Sequence, residues 1–234
     1  MKNKKAGHVG MILSFTIFIG FILFLFAVLN PFSYDSEGKD FTLDFTFNKV
    51  FNYLSSNVTI VDFIANGKLS GGDNCSKVDS SSFGASGMFF IVKDISGNII
   101  PASVNGDFLN VFNDAESSIF TKIYYSPESF NIYSTTQSNC SNGVVKSVVF
   151  DKYVFESRID DLVYNYEYRY EDLREEFEVP TGVNFDFGFE FVNGSYIVGS
   201  GKDVSQEIFL REKIIQYINF DGDIVSGILR VRIW

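Results

Sequence analysis

From Met11 to Leu29 the chain carries no charged residue, and only Ser14, Thr16 and Gly20 interrupt an otherwise apolar run. At about 1.5 Å of rise per residue such a run makes roughly 28 Å of helix, close to the thickness of a bilayer core, where a lone segment can pair its backbone groups only as a helix. The pattern predicts a transmembrane helix over residues 11–30, with a basic leader over 1–10 and one extracytoplasmic domain over 31–234. Lys2, Lys4 and Lys5 precede the apolar run and the first charge after it is Asp35. The positive-inside rule then places the N-terminus in the cytoplasm, the C-terminal domain outside, and the chain in the cell membrane as a single-pass protein with the lipid bilayer as its partner. A cleaved secretory signal is disfavoured, because the run is too long and "AVLNPF" offers no small-residue cleavage site.

Beyond the apolar run the period changes. In "FTLDFTF", Phe41, Leu43, Phe45 and Phe47 alternate with Thr42, Asp44 and Thr46, which predicts a half-buried strand followed by a short helix in "NKVFNYLSS". The other reading of 39–55 is a stalk that continues the apolar helix. Residues 65–87 are rich in Gly, Ser, Asn and Asp and predict a long loop. Apolar and β-branched runs follow, among them "MFFIVKDI", "VVKSVVFDKYVF" and "VNFDFGFEFV", separated by turn signals such as "SGNI", "VNGD" and "VNGS". These predict an antiparallel, hairpin-rich sheet, and "IIQYINFDGDIVSGILRVRIW" is its strongest hairpin. Leu162, Tyr166, Tyr170, Leu173 and Phe177 recur at helical spacing, so one amphipathic helix should pack on the sheet, started by a capping box of Ser157 and Asp160 and stopped before Pro180. The expected fold class is α+β: one transmembrane helix, then a mostly antiparallel β domain with one packed amphipathic helix.

Charge and cysteine content refine this picture. The net charge is −10, and every one of the 29 acidic residues lies beyond Asn30, so the outward domain repels nucleic acid. Aromatic residues make up 17% of the chain, enough to build a core and to argue against disorder. Cys75 and Cys140 are the only cysteines, and an even pair in an oxidising compartment favours a disulfide over two buried thiols. Glycosylation sequons begin at Asn57, Asn74, Asn139 and Asn193, about as many as this content of Asn, Ser and Thr supplies by chance.

Signatures of catalysis are missing from the sequence. The single histidine, His8, precedes the apolar run, so the outward domain holds no Ser/His or Cys/His pair, and zinc ligation would have two cysteines at most. The acid pairs Asp160–Asp161, Glu171–Asp172, Glu175–Glu176 and Asp221–Asp223 are most simply solvated faces and a hairpin turn, since "NFDGDIVSG" lacks the closing Glu of a calcium loop. "SGGDNCSKVDSSSFGASG" and "GSGKD" lack phosphate-loop spacing. No cofactor is implied.

"KKAG" followed by "HVGMILSFTIFIGFILFLF" resembles the N-terminus of type IV prepilins and of archaeal pilin-like membrane proteins. "YEDLREEFEVPTGVNFDFGFEF" and "DGDIVSGILRVRIW" loosely resemble the closing segments of the latter. The resemblance implies cleavage near Lys5, Ala6 and Gly7, and a surviving apolar helix that packs against copies of itself or other pilin-like subunits. No carboxylate occurs before Asp35, which departs from the many pilins with one near the start of the mature helix. The expected function is therefore a non-enzymatic cell-surface protein with a structural or interaction role, which the resemblance implies is that of a type IV pilin-like subunit. The alternatives are an adhesion or recognition domain on an uncleaved signal anchor and, third, a carboxylate-dependent hydrolase of surface glycans.

Overall fold

The structure, a computed structural model, describes residues 4–28, 32–66, 75–113, 117–131, 140–199 and 207–234. Among these residues there are four α-helices and twelve strands. In chain order these are α1 (Lys4–Val28), α2 (Phe32–Leu54), β1 (Ser55–Ala65), β2 (Cys75–Asp79), β3 (Phe89–Asp94), β4 (Ala102–Asn105), β5 (Phe108–Phe112), β6 (Ile119–Ser126), β7 (Ser141–Asn142), β8 (Val144–Phe155), α3 (Glu156–Tyr168), α4 (Tyr170–Glu176), β9 (Phe185–Glu190), β10 (Tyr196–Val198), β11 (Phe209–Ile218) and β12 (Ile224–Ile233), with a 3-10 turn at Ser81–Phe83.

The expected transmembrane helix is corrected. The apolar run is helical within α1, yet among the described residues no helix is long and apolar enough to cross a membrane. The fold is thus a mostly β domain with helices, without an identified N-terminal span.

The strand predicted over 41–47 is also corrected, because that stretch lies inside α2. Leu43, Phe47, Val50 and Leu54, spaced by four, three and four residues, are all buried, whereas Phe41 is 73% exposed. A helix carries that spacing into one core and leaves Phe41 in solvent; a strand would bury Phe41 and Phe47 together. The stretch is helical, as the stalk reading also required, but α2 is an element separate from α1 and lies packed on the sheet. The single amphipathic helix expected after residue 157 is in fact two. Arg169, with φ −139° and ψ 38°, separates α3 from α4, although Leu162, Tyr166, Tyr170, Leu173 and Phe177 all still reach the core. Its capping box does not form: α3 begins at Glu156, directly after β8, and Ser157 Oγ donates to Glu128 Oε2 at 3.2 Å. Of the loop predicted over 65–87, residues 67–74 lie outside the described residues, Ala65 closes β1, and Cys75–Asp79 form β2.

Eight strands form one sheet in the order β10-β9-β12-β11-β8-β1-β6-β3, and β4-β5-β2-β7 form a second. Pairing is antiparallel except for β8 with β11 and β2 with β7. The closing hairpin forms as expected: β11 and β12 pair from Phe209↔Ile233 to Ile218↔Ile224, and Gly222 takes φ 71° in the turn. Gly227 is required for a different reason, since a Cβ there would lie 2.6 Å from the ring of Phe189.

Both main cores lie on one face of the large sheet. Val154 stands opposite Ser55, and residues 55, 61, 63 and 65 of β1 share a face by the two-residue period. On that face α2, α3 and α4 cover the β9-β12-β11-β8 end, packing on Phe185, Phe187, Phe189, Tyr217 and Leu229. The small sheet covers the β1-β6-β3 end, packing Val78, Leu109 and Val111 on Val61, Phe63 and Ile123. Among the described residues the opposite face carries a small cluster around Val58, Ile91, Phe130, Phe155 and Ile218.

Candidate functional site

Two neighbouring helices treat their apolar residues oppositely. In α2 the apolar stripe is buried on β11 and β12, Arg211 forms an ion pair with Asp44, and Lys152 Nζ donates to Asn52 Oδ1 at 3.1 Å. In α1, by contrast, Met11, Ile12, Leu13, Phe15, Ile17, Phe18, Phe21, Leu23 and Phe24 are all exposed. At 100° per residue these positions occupy every side of the helix, so no face is reserved for packing on the domain. Thr16 Oγ1 donates to the Ile12 carbonyl at 2.9 Å, which leaves its hydroxyl without a call on solvent. A helix apolar all round is covered in its working state by other apolar surface. Lys5, Ala6 and Gly7 lie in the first turns of this same helix, continuous with the apolar run.

The predicted disulfide is present. Cys75 and Cys140 are bonded with their Cα atoms 4.9 Å apart, closing a sequence separation of 65. The bond fastens the start of β2 to the residue before β7, where Ser76 pairs with Ser141 and Ser141 Oγ donates to the Cys75 carbonyl at 3.3 Å. Of the sequons, Asn57 is exposed on β1, beside an open depression of about 520 Å³ that Phe83, Met88 and Phe150 also line. Asn193 sits in the β9–β10 turn, where its Oδ1 accepts from the Ser195 N–H at 2.8 Å and the Ser195 hydroxyl at 2.6 Å. Asn74 and Asn139 lie outside the described residues.

Most of the carboxylates have a partner of their own, while Glu190 and Glu212 share Arg230. Asp186, with no exposure, accepts from Arg232 Nε at 2.7 Å and from Nη2, and burial raises its pKa against the opposing pull of that guanidinium. Glu128 is held by Arg158 at 2.8 Å and Asp223 by Lys93 at 2.5 Å. On the helices, Glu171 meets Arg174 and Asp172 meets Arg169 at exposed i,i+3 spacing. Asp221 accepts from Asn131 Nδ2 at 3.0 Å. Burial also raises the pKa of Asp160 and of Glu156, whose carboxylate accepts the Phe220 N–H. Among the described residues no group of three or more His, Cys, Asp or Glu is placed to hold a metal ion.

One feature has no counterpart in the sequence reading. β8 and β11 pair only at Val154↔Tyr217 and Phe155↔Ile218, so the large sheet splits from there toward the start of both strands. Pairing partners so far apart in sequence leave no local pattern to read. Against family models, curated proteins and solved structures the chain finds no match.

Proposed function

We propose that the chain is a non-enzymatic structural subunit of the cell surface, assembled through α1 and displaying the β domain. The observation that carries this reading is the contrast between α1, apolar and exposed on every described side, and α2, which anchors the following stretch to the sheet. The resemblance of residues 1–30 to prepilin N-termini supports it, since such a helix is stored and then buried among helices of other copies. The disulfide supports an oxidising location for the domain.

The test replaces Ile17 by Cys on the full chain expressed in its cells. Helix bundling predicts oxidant-dependent crosslinks between copies through position 17, together with an intact mass short of the residues up to the region of Lys5 to Gly7. A chain that keeps its whole N-terminus and yields only uncrosslinked protein would overturn assembly through α1 and leave an adhesion or recognition domain as the reading.

A further inference from the structure

We propose that the split between β8 and β11 is a docking site for one extended peptide strand, which completes the large sheet by pairing with both edges at once. It involves neither α1 nor its assembly.

The backbone carries the argument. Trp234 exchanges N–H and C=O bonds with Asn184 at 2.9 and 3.1 Å, so even-numbered positions of β12 turn their polar groups toward β9 and odd-numbered ones toward β11. Lys213 stands opposite Leu229, so the odd positions of β11 serve β12 and its even positions, Leu210 to Gln216, aim theirs into the split. Across the gap, Val144 to Tyr153 of β8 pair with β1 on one side and, among the described residues, have no ladder on the other. Two unpaired edges therefore face each other inside a sheet, a position where natural folds leave few edges open. They run parallel, so one strand entering antiparallel to both satisfies both rows with antiparallel geometry.

Side chains agree with the backbone. Ile214 is 72% and Phe150 69% exposed, and Leu210 and Val149 are also exposed, which places apolar groups on the two edges a strand would join. Arg211 is met by Asp44, and Glu212 shares Arg230 with Glu190, which leaves Lys146, Lys152 and Lys213 against Asp151 and a half-compensated Glu212 along the split, a small positive excess. On a chain of net charge −10 this local positive balance selects a neutral or acidic strand with alternating apolar residues. The two edges converge on the direct pairing Tyr217↔Val154, so the room for a strand lies from Phe209 to about Ile214, roughly six residues or about 20 Å of strand.

The full chain, held in detergent, is used to select from a library of random nine-residue peptides. The expected winners alternate apolar with polar or acidic residues and bind without large loss of affinity when scrambling preserves that alternation. Two copies of a winner are then N-methylated, one at odd and one at even positions. Insertion between two edges uses amides of both parities, so each copy should bind at least tenfold more weakly, while hydrogen exchange slows at Leu210, Glu212 and Ile214 of the unmodified complex. Selection of no peptide, tolerance of either methylation pattern, or unchanged exchange at those amides would overturn the proposal. Ile214→Pro, which removes an N–H aimed into the split and none from the β11–β12 ladder, should abolish binding with the melting curve retained; equal binding by a folded I214P chain would also overturn it.

Discussion

Arg232 and Asp186 show how one residue can matter more to its partner than to itself. Asp186 is wholly buried, and removing the guanidinium would strand its charge, at a cost of about 3–5 kcal/mol. Arg232→Met should therefore lower the urea midpoint strongly at pH 7. The pH dependence follows from sign. The folded pKa of Asp186 is raised above its unfolded value, so the stability linked to its proton is fully present below the unfolded value and is lost as pH rises through the folded one. In R232M, where the attraction that lowers this pKa is gone, the deficit should shrink as pH falls toward 4 and the carboxyl takes up a proton. Equal deficits at pH 7 and pH 4 would show that lost packing, and not stranded charge, is responsible. Nothing in the local sequence pairs residues 186 and 232; only the β9–β12 register, Asp186↔Arg232, brings them together.

At the scale of elements, legibility depended on whether the deciding contacts were local. The β11–β12 hairpin was readable because alternation and an Asp-Gly turn specify it within its own twenty or so residues. The aromatic stripe of α3 and α4 was readable for the same reason, although the break at Arg169 was not. In α2 two periods coincide: Phe41, Leu43, Phe45 and Phe47 alternate, but Leu43 and Phe47 also begin a helical stripe that continues through Val50 and Leu54. The longer stripe wins because burying four large side chains on the sheet contributes roughly 1.5–3 kcal/mol each. Phe47→Ala is expected to cost about 3–5 kcal/mol and Phe41→Ser well under 1 kcal/mol, measured by denaturant unfolding. Comparable losses would return the stretch to a strand, on which both residues share a face.

The whole molecule is one wide sheet carrying two unlike cores, and they should not be equally robust. Helices α2, α3 and α4 cover one end with a dense aromatic cluster in which Tyr166 packs edge-on against Phe185 and Phe187. The other end is covered by four short strands, two of only two and four residues, and the disulfide fastens that small sheet to the chain entering β8. The bond thus restrains the end with the weaker cover. In the chain-entropy picture a link across about 65 residues contributes ~4 kcal/mol, and its loss should fall first on the small sheet, because β9 and β12 are held by contacts the bond does not touch. Reduction, or Cys75→Ser with Cys140→Ser, should accelerate amide exchange in β2 and β5 by two or more orders of magnitude, while the amides of β9 and β12 slow or hold their protection. Uniform acceleration across all four strands would mean that the two cores unfold as a single unit and that the shared sheet, not the local cover, sets the stability of each end.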